Sequence, residues 1–310
     1  MKAVRIHSYG GVEVLDYEDA PRPTPGDGEV LVRVHATSVN PFDCAARAGY
    51  LHSYFNYTFP LILGTDVSGV IEEVGAGVTD FKPGDVVYGR AGVIRDGAYA
   101  EYVTLPATDV AFKPKSIDHF QAAALPHVTL TAWQALIEVA KLAKGQKVLI
   151  HAAAGGVGHV AVQLSKIIGA TTIGTASVNL ETLNELEVDE KIDYSTTQFE
   201  NVVKDVDVVL DLIGGDTQQR SWAVMRPGGI LLATVQPPSE EMAAAHGVRH
   251  HFIATTPPIG RVLTEVAAYV DAGQITPIVS SILPLMEIRT AHEMVEGKHV
   301  KGKLVLQVQD

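Results

Sequence analysis

Residues Lys147–Gly169 read KVLIHAAAGGVGHVAVQLSKIIG. The stretch opens on a short apolar run, Val148-Leu149-Ile150, of strand length and β-branched at its ends. A turn of small residues follows, Ala152-Ala153-Ala154-Gly155-Gly156. Val157, Val160, Ala161, Leu164 and Ile168 then recur at three- and four-residue spacing, which predicts one face of a helix. Gly169 is placed as its stop. Strand, glycine turn and helix in succession are the context in which a glycine pattern reads as a dinucleotide site. Gly155 and Gly158 take the second and third glycine positions of G-x-G-x-x-G, with Ala153 in the first. Lacking a Cβ, Gly155 lets the backbone approach a pyrophosphate, and Gly158 lets the helix pack close to the strand. The N–H groups at the helix start, from Gly156 and Val157 onward, are the donors for the phosphates. For the motif taken alone, a glycine-rich turn without a ligand is the rival reading.

The rest of the composition narrows the class. The chain has 310 residues, enough for two domains with cores of their own. It is 46% hydrophobic and 19% charged, as expected of a soluble globular protein. No apolar run approaches the roughly 18 residues that cross a bilayer. The N-terminal MKAVRIHSYGG lacks the pattern of a signal peptide. A net charge of −12 argues against a general nucleic-acid binder. Cys44 is the only cysteine, which excludes an intrachain disulfide and a four-cysteine zinc site. The cytoplasm is therefore the expected location.

Residues 1–110 read as β-rich. Met1–His7 and Glu29–Ala36 alternate, Val67–Val74, Asp85–Tyr88 and Gly97–Val103 are further strand candidates, and Pro/Gly turns lie between them. Short strands punctuated by glycine predict a small, partly open barrel. Near Asp118 the rhythm changes, with helical patterns at His119–Leu125 and Thr129–Ala143. Strands at Lys147–His151, Thr171–Thr175, Asp207–Asp211 and Ile230–Val235 then alternate with helices at Val157–Ile168, Leu180–Glu187 and Thr217–Met225. Such a series predicts a parallel sheet covered on both faces. A helix from Ile259 stopped by Gly273, then β-like pieces at Ile278–Leu283 and Lys303–Val308, do not extend the series and are expected to return to the first domain.

The end of the second strand of the series bears on the cofactor. NAD sites carry an acid there to bind the ribose hydroxyls. This chain has Gly174-Thr175-Ala176-Ser177 instead, and Glu181 comes only later, in the next helical segment. A 2′-phosphate is repelled by a carboxylate and favoured by hydroxyls, so Ser177 points to NADPH, a solvated loop hydroxyl being its plainer role.

Six motifs stand in one order: Asn40-Pro41-Phe42-Asp43, Phe81–Asp85 (FKPGD), Gly97–Tyr102 (GAYAEY), Leu130-Thr131-Ala132, His151–Gly158 (HAAAGGVG) and Lys301–Leu306 (KGKLVL). Together they resemble the zinc-free quinone oxidoreductase branch of the medium-chain dehydrogenase/reductase superfamily, over essentially the whole chain. The resemblance implies an α/β fold: a GroES-like, partly open β-barrel domain from residues 1–118 and 265–310, and a Rossmann domain with a doubly wound parallel sheet, for NADP, from residues 119–264. It implies NADPH-dependent reduction of a quinone or an α,β-unsaturated carbonyl (an enone or enal), in a homodimer.

Residue roles carry over by position. In the zinc branch, Cys-x-x-Asp and Gly-His-Glu supply metal ligands; the matching stretches here are Asn40-Pro41-Phe42-Asp43 and Gly64-Thr65-Asp66. Asn40 and Thr65 are poor zinc ligands, Cys44 is off the ligand position, and the adjacent pair His250-His251, near an expected loop, is a poor metal pair, so no catalytic zinc is expected. The resemblance sets Asn40 and Asp43 beside the nicotinamide, although a capping carboxylate is an equal reading of Asp43. Thr131 resembles a threonine near the nicotinamide, with a helix-terminus hydroxyl as its rival. Tyr194 resembles a tyrosine lining the adenosine phosphate pocket, with a packed aromatic as its rival. Lys298 and Lys301 resemble basic residues reaching the 2′-phosphate, although exposed lysines are ordinarily just solvated. Two departures stand out. Val178 replaces a lysine found in some relatives after the Ser177 position, and Ala45 replaces a tyrosine. Tyr50, ahead of Tyr54 and Tyr57 in the next loop, is the candidate to supply the missing hydroxyl.

Without metal, the substrate carbonyl has to be polarised by hydrogen bonds, from backbone N–H groups, the Asn40 amide, a tyrosine or a ribose hydroxyl. No dedicated general acid stands out. The alternatives are a zinc-dependent alcohol dehydrogenase and a non-catalytic NADPH-binding or sensing protein.

Overall fold

The computed structural model describes residues 1–254, 258–297 and 300–309. The chain divides into two compact units, Met1–His127 with Pro258–Asp310, and Val128–Pro257. The borders expected from sequence lay at 118/119 and 264/265. Two contacts account for the difference. The helix His119–Ala123 belongs with the first unit, where Ala123 and Ala124 share a core cluster with Ala36 and Val305. The helix Ile259–Asp271 packs on the same unit's strands: Tyr88 Oη donates to Leu263 O at 2.6 Å, and a Cβ on Gly260 would lie 2.6 Å from Thr108 O.

The first unit is a seven-stranded sheet with a three-stranded annex. Its spine is the eleven-residue strand Glu29–Val39. This strand pairs antiparallel with Asp66–Val74, Tyr102–Pro106 and Lys303–Gln307, the last by Leu304↔Val39 and Val305↔Ser38. Val279–Pro284 runs parallel to Lys303–Gln307, so both C-terminal pieces return to the barrel as expected. Val30, Val32 and Val34 are fully buried with Val67, Ile71 and Val87, because the two-residue period of the strands turns them to one core. The stretch Gly97–Val103, expected as a strand, is one only from Tyr102. Its first half donates N–H groups to Ile62, Gly64 and Leu63 instead, an irregular docking in which a Cβ on Gly97 would lie 2.3 Å from Gly64 O.

The second unit is a six-stranded, all-parallel sheet. In space its strands run Glu190–Asp193, Thr171–Ala176, Lys147–Ile150, Val206–Asp211, Met225–Ala233, Arg249–Phe252. Numbered along the unit this is the order 3-2-1-4-5-6 of doubly wound dinucleotide folds, which reverses between the first and fourth strands. Val206–Asp211 is buried at every position, as a central parallel strand requires. Arg226-Pro227-Gly228-Gly229 lies within the strand Met225–Ala233, where the pairing slips between Val206 and Val208 to take up the extra residues. His250 and His251 sit in the edge strand Arg249–Phe252 rather than a loop. The helical pattern at Thr129–Ala143 is an α-helix, Pro126–Trp133, continued by a π-helical stretch, Gln134–Val139. Among the described residues, no helix is long and apolar enough to cross a membrane.

Each unit buries a neutral histidine. In the second, Ser221 Oγ donates to Thr217 O at 2.7 Å, which leaves its lone pairs to accept Nε2–H of His151 at 2.9 Å. Nδ1 of His151 then accepts from Thr175 Oγ1 at 3.2 Å. In the first unit, Arg47 Nη1 donates to Nδ1 of His292 at 3.3 Å, and Nε2–H donates to Tyr99 Oη at 3.3 Å. Burial pushes the His151 pKa down to about 4, and burial with the Arg47 charge pushes His292 down to about 3. Both folded values lie below the unfolded value, so the unfolded chain takes up protons that the fold refuses. Stability is fully present above about pH 6.5 and is lost as pH falls. Between pH 7 and pH 5 each ring should cost about 2 kcal/mol. Urea unfolding followed over this range should show the loss, and His151→Gln should remove its share of the slope; a stability that is flat or rises on acidification would contradict these assignments.

Candidate functional site

The glycine turn lies at the end of Lys147–Ile150, where the strand order reverses. Ligands of open α/β sheets bind at this switch point. Ala152 carries the turn with a left-handed φ of +51°. Ala153 N–H donates to Thr175 O at 3.0 Å, tying the turn to the neighbouring strand. The helix Gly156–Ile168 starts from Gly155 without any side-chain cap, and its first N–H groups have no partner within the helix. A Cβ on Gly158 would lie 2.2 Å from Ala152 O and 2.7 Å from Ala153 Cα, so only glycine lets helix and turn meet so closely. Gly169 ends the helix in the left-handed region, φ +83°, as its place in the pattern predicts. An uncapped helix start on a turn this tight fits a pyrophosphate.

A second loop at the switch point escaped the sequence reading. Asp211 ends Val206–Asp211 with its carboxylate turned to its own chain. Oδ1 accepts from Ile213 N at 3.0 Å and Gly214 N at 2.9 Å, and Oδ2 accepts from Gln218 Nε2 at 3.0 Å. The adjacent strand end is held by His151 N–H on Leu210 O at 3.1 Å. An aspartate before Leu-Ile-Gly-Gly at a strand end was the available signal.

The other cofactor candidates are distributed as follows. Ser177 and Tyr194 come together: Ser177 Oγ donates to Tyr194 Oη at 2.7 Å, beyond the ends of adjacent strands. Tyr194 is 55% exposed, so the packed-aromatic reading does not hold. Thr131 is buried in Pro126–Trp133. Lys301 belongs to the first unit, in the turn before Lys303–Gln307. Lys298 lies outside the described residues.

In the first unit, Asn40 and Asp43 sit at the start of the helix Pro41–Arg47. Asp43 Oδ2 accepts Asn40 N–H at 2.8 Å, the capping role. Burial pushes the Asp43 pKa up to about 6, against the pull of that N–H. The Asn40 side chain is fully engaged. Nδ2 donates to Thr65 Oγ1 at 3.1 Å and to Asp66 Oδ2 at 2.8 Å, and Oδ1 accepts from Lys303 Nζ. Its amide therefore has no proton to spare for a substrate. Tyr50 is not part of this cluster: it follows the helix in a turn and is 77% exposed.

The hub of the cluster is Asp66 with Lys303, two buried charges the sequence reading did not single out. Lys303 Nζ lies 3.3 Å from Asp66 Oδ2 and also donates to Val39 O at 3.1 Å, so its three protons all have acceptors. Asp66 further accepts from Ser38 Oγ and from His127 N–H, the latter at 2.6 Å. Burial alone would raise the Asp66 pKa; the Lys303 ammonium, the His127 ring and the Ser38 and Asn40 hydrogen bonds outweigh it and hold the carboxyl below its ordinary value. The visible signal was Lys303 heading the apolar run Leu304-Val305-Leu306 of the strand Lys303–Gln307.

These residues do not fit a catalytic metal. Asn40 and Thr65 spend their polar atoms on each other and on Asp66 and Lys303. Burial pushes the Cys44 thiol up to about 12, far from a thiolate. Among the described residues, no group of three or more His, Cys, Asp or Glu side chains is placed to hold an ion.

Lys303→Met should cost about 3–5 kcal/mol, because it strands the buried Asp66 carboxylate. Asp66→Asn combined with it should restore much of that loss. Urea unfolding of the single and double variants checks both; a single variant as stable as the parent would mean that the pair holds nothing.

Comparison with known proteins places this geometry. Residues 26–115 match the alcohol dehydrogenase GroES-like domain, and residues 186–306 match the family described as zinc-binding dehydrogenase. A mitochondrial NAD(P)H oxidoreductase of Danio rerio is 33% identical over 355 residues, covering 100% of this chain and 92% of its own. A chloroplastic NADPH-dependent alkenal/one oxidoreductase of Arabidopsis thaliana is 34% identical over 321 residues, covering 99% and 79%. The quinone oxidoreductase of Coxiella burnetii superposes with a TM-score of 0.90 at 34% identity, over 100% of this chain and 99% of that one. With the barrel, the 3-2-1-4-5-6 sheet and the glycine turn, these likenesses settle the family: the chain belongs to the medium-chain dehydrogenase/reductase superfamily, as a member of the quinone-reductase type.

Proposed function

We propose that this chain is an NADPH-dependent oxidoreductase that reduces a quinone or an α,β-unsaturated carbonyl by hydride transfer, without a metal. The observation that carries the reading is the uncapped helix start on the glycine turn, at the reversal of the strand order. The relatives named for quinones and for alkenals or enones support the substrate class. When bound, the nicotinamide supplies the hydride.

The chain's own residues bind and orient. Ala153, Gly155, Gly156, Val157 and Gly158 receive the pyrophosphate, and Thr131 serves the nicotinamide end. The Ser177–Tyr194 hydroxyl pair receives the 2′-phosphate. Support for NADPH over NADH comes from that pair and from the absence of an acid between Gly174 and Ser177. Asn40 and Asp43 fix the backbone of the substrate wall and make no hydrogen bond to the substrate themselves. The reading includes a homodimer, which mass in solution tests. It also includes a cytoplasmic location, which fractionation tests against the organelles named for the relatives.

Oxidation of NADPH, followed at its near-ultraviolet absorbance with small quinones and 2-alkenals, is the direct assay. Turnover should be at least about tenfold more efficient with NADPH than with NADH, a difference of about 1.4 kcal/mol. Ser177→Asp should erase that preference. Binding of NADPH with no oxidation by any acceptor would favour a binding protein. Alcohol oxidation lost with a chelator would favour a zinc enzyme.

A further inference from the structure

Among the described residues, three arginine or lysine side chains are buried: Arg47, Arg90 and Lys303. Arg47 donates to Gly10 O, His292 Nδ1 and Glu296 Oε1, and Lys303 has an acceptor for each of its protons. Arg90 is the exception. It is 8% exposed, and among the described residues its guanidinium makes no hydrogen bond and no ion pair. A guanidinium carries five N–H donors and a permanent charge, and burying it without a partner is costly. Its Nε is sealed from solvent, so the terminal Nη groups are the ones a ligand can reach.

The sheet fixes where Arg90 stands. It ends the strand Val86–Arg90, directly across from Asp66 in the antiparallel pairing with Asp66–Val74. Opposed residues leave a sheet on one face, so Arg90 shares the face of Asp66, whose carboxylate holds the Asn40 amide. Two residues back, on that same face, Tyr88 Oη is tied to Leu263 O at 2.6 Å. Just beyond, Ala91 N–H donates to Thr65 O at 2.7 Å. The carboxylates nearby are engaged with other donors. Asp66 accepts from Lys303, Asn40, Ser38 and His127 N–H, Asp43 from Asn40 N–H, and Asp109 from Thr108 Oγ1. Burial lowers the Arg90 pKa, and Asp66, Asp43 and Asp109 offset only part of that. Burial and the Arg90 charge push the His127 ring down to about 3, so it is neutral and does not compete for an anion.

We propose that Arg90 receives the carboxylate of an anionic substrate, so that the conjugated carbonyl compounds this chain prefers also carry a carboxylate. The inference rests on the reading of the chain as a quinone or enone reductase and names a substrate class within it. A planar guanidinium matches a carboxylate through two parallel N–H···O bonds. The reaction does not alter that carboxylate, so the pair holds ground state and transition state alike. Its loss should raise KM and leave kcat little changed.

The test compares trans-4-oxo-2-pentenoate with its methyl ester, which keeps the enone and removes the charge. With NADPH, the parent protein should use the acid at least about tenfold more efficiently than the ester. Arg90→Met should lose about 10²-fold in kcat/KM on the acid, through KM, and change little on the ester. Arg90→Lys, which keeps the charge without the planar fork, should recover part of the loss. Calorimetric binding of 4-oxopentanoate, the saturated product, should be measurable on the parent and absent from Arg90→Met, with no turnover involved. Arg90→Met should unfold at the same urea concentration as the parent or a higher one, because an uncompensated buried charge is gone. A parent that treats acid and ester alike, or a variant that loses both equally, would overturn the proposal for Arg90 and leave the reductase reading standing. NADPH affinity that falls in Arg90→Met, with the acid-to-ester ratio unchanged, would overturn it in favour of a cofactor phosphate. A parent that reduces neither compound nor any other conjugated carbonyl would overturn the reductase reading, and the calorimetry would then decide for or against Arg90 by itself.

Discussion

One buried ammonium organises the polar interior of the barrel unit. Lys303 brings a positive charge into an environment where an unpaired charge is prohibitively costly, and every proton it carries has an acceptor. From it follows the ionised state of Asp66. From Asp66 follow the orientation of the Asn40 amide, the Ser38 hydroxyl and the backbone at His127. The region where metal-dependent members of the superfamily are expected to hold an ion is here filled by a closed hydrogen-bonded network. Such a network is rigid, because moving any one member leaves another unsatisfied in low dielectric.

The second unit relies on steric closeness rather than charge. The turn, the helix and the neighbouring strand meet at a point with no space for side chains. Gly158 packs on Ala152 and Ala153, and a Cβ on Gly174 would lie 3.0 Å from the Ala153 Cβ. Ala153 in place of the first glycine is therefore tolerated because Gly174 stands opposite it. The result is a helix start without a side-chain cap, whose first N–H groups have no partner within the helix, which is the physical basis of anion affinity at this place.

Much of this was legible in sequence because it is local. The apolar run, the small-residue turn, the three- and four-residue spacing and the Gly169 stop all lie within Lys147–Gly169, and the helix there ends in the conformation that glycine permits. The return of Lys303–Gln307 to the barrel was legible because its composition breaks with the alternating series before it. What stayed hidden depends on distant partners or on short, polar elements. Lys303 and Asp66 are 237 positions apart, and nothing near either one announces the other. Glu190–Asp193 and Arg249–Phe252 are four-residue strands of mostly polar sequence, made into strands by the sheet beside them.

The arrangement of the barrel has a consequence for the life of the nascent chain. The spine strand Glu29–Val39 is synthesised well before its partner Lys303–Gln307. Until that partner leaves the ribosome, Asp66 has no counterion and an edge of the sheet stands open. The continuous segment Val128–Pro257 carries its whole sheet within itself and is under no such delay. Synthesis therefore favours completion of the Val128–Pro257 unit ahead of the barrel unit, and the incomplete barrel is the stage at which the chain has most need of protection from aggregation.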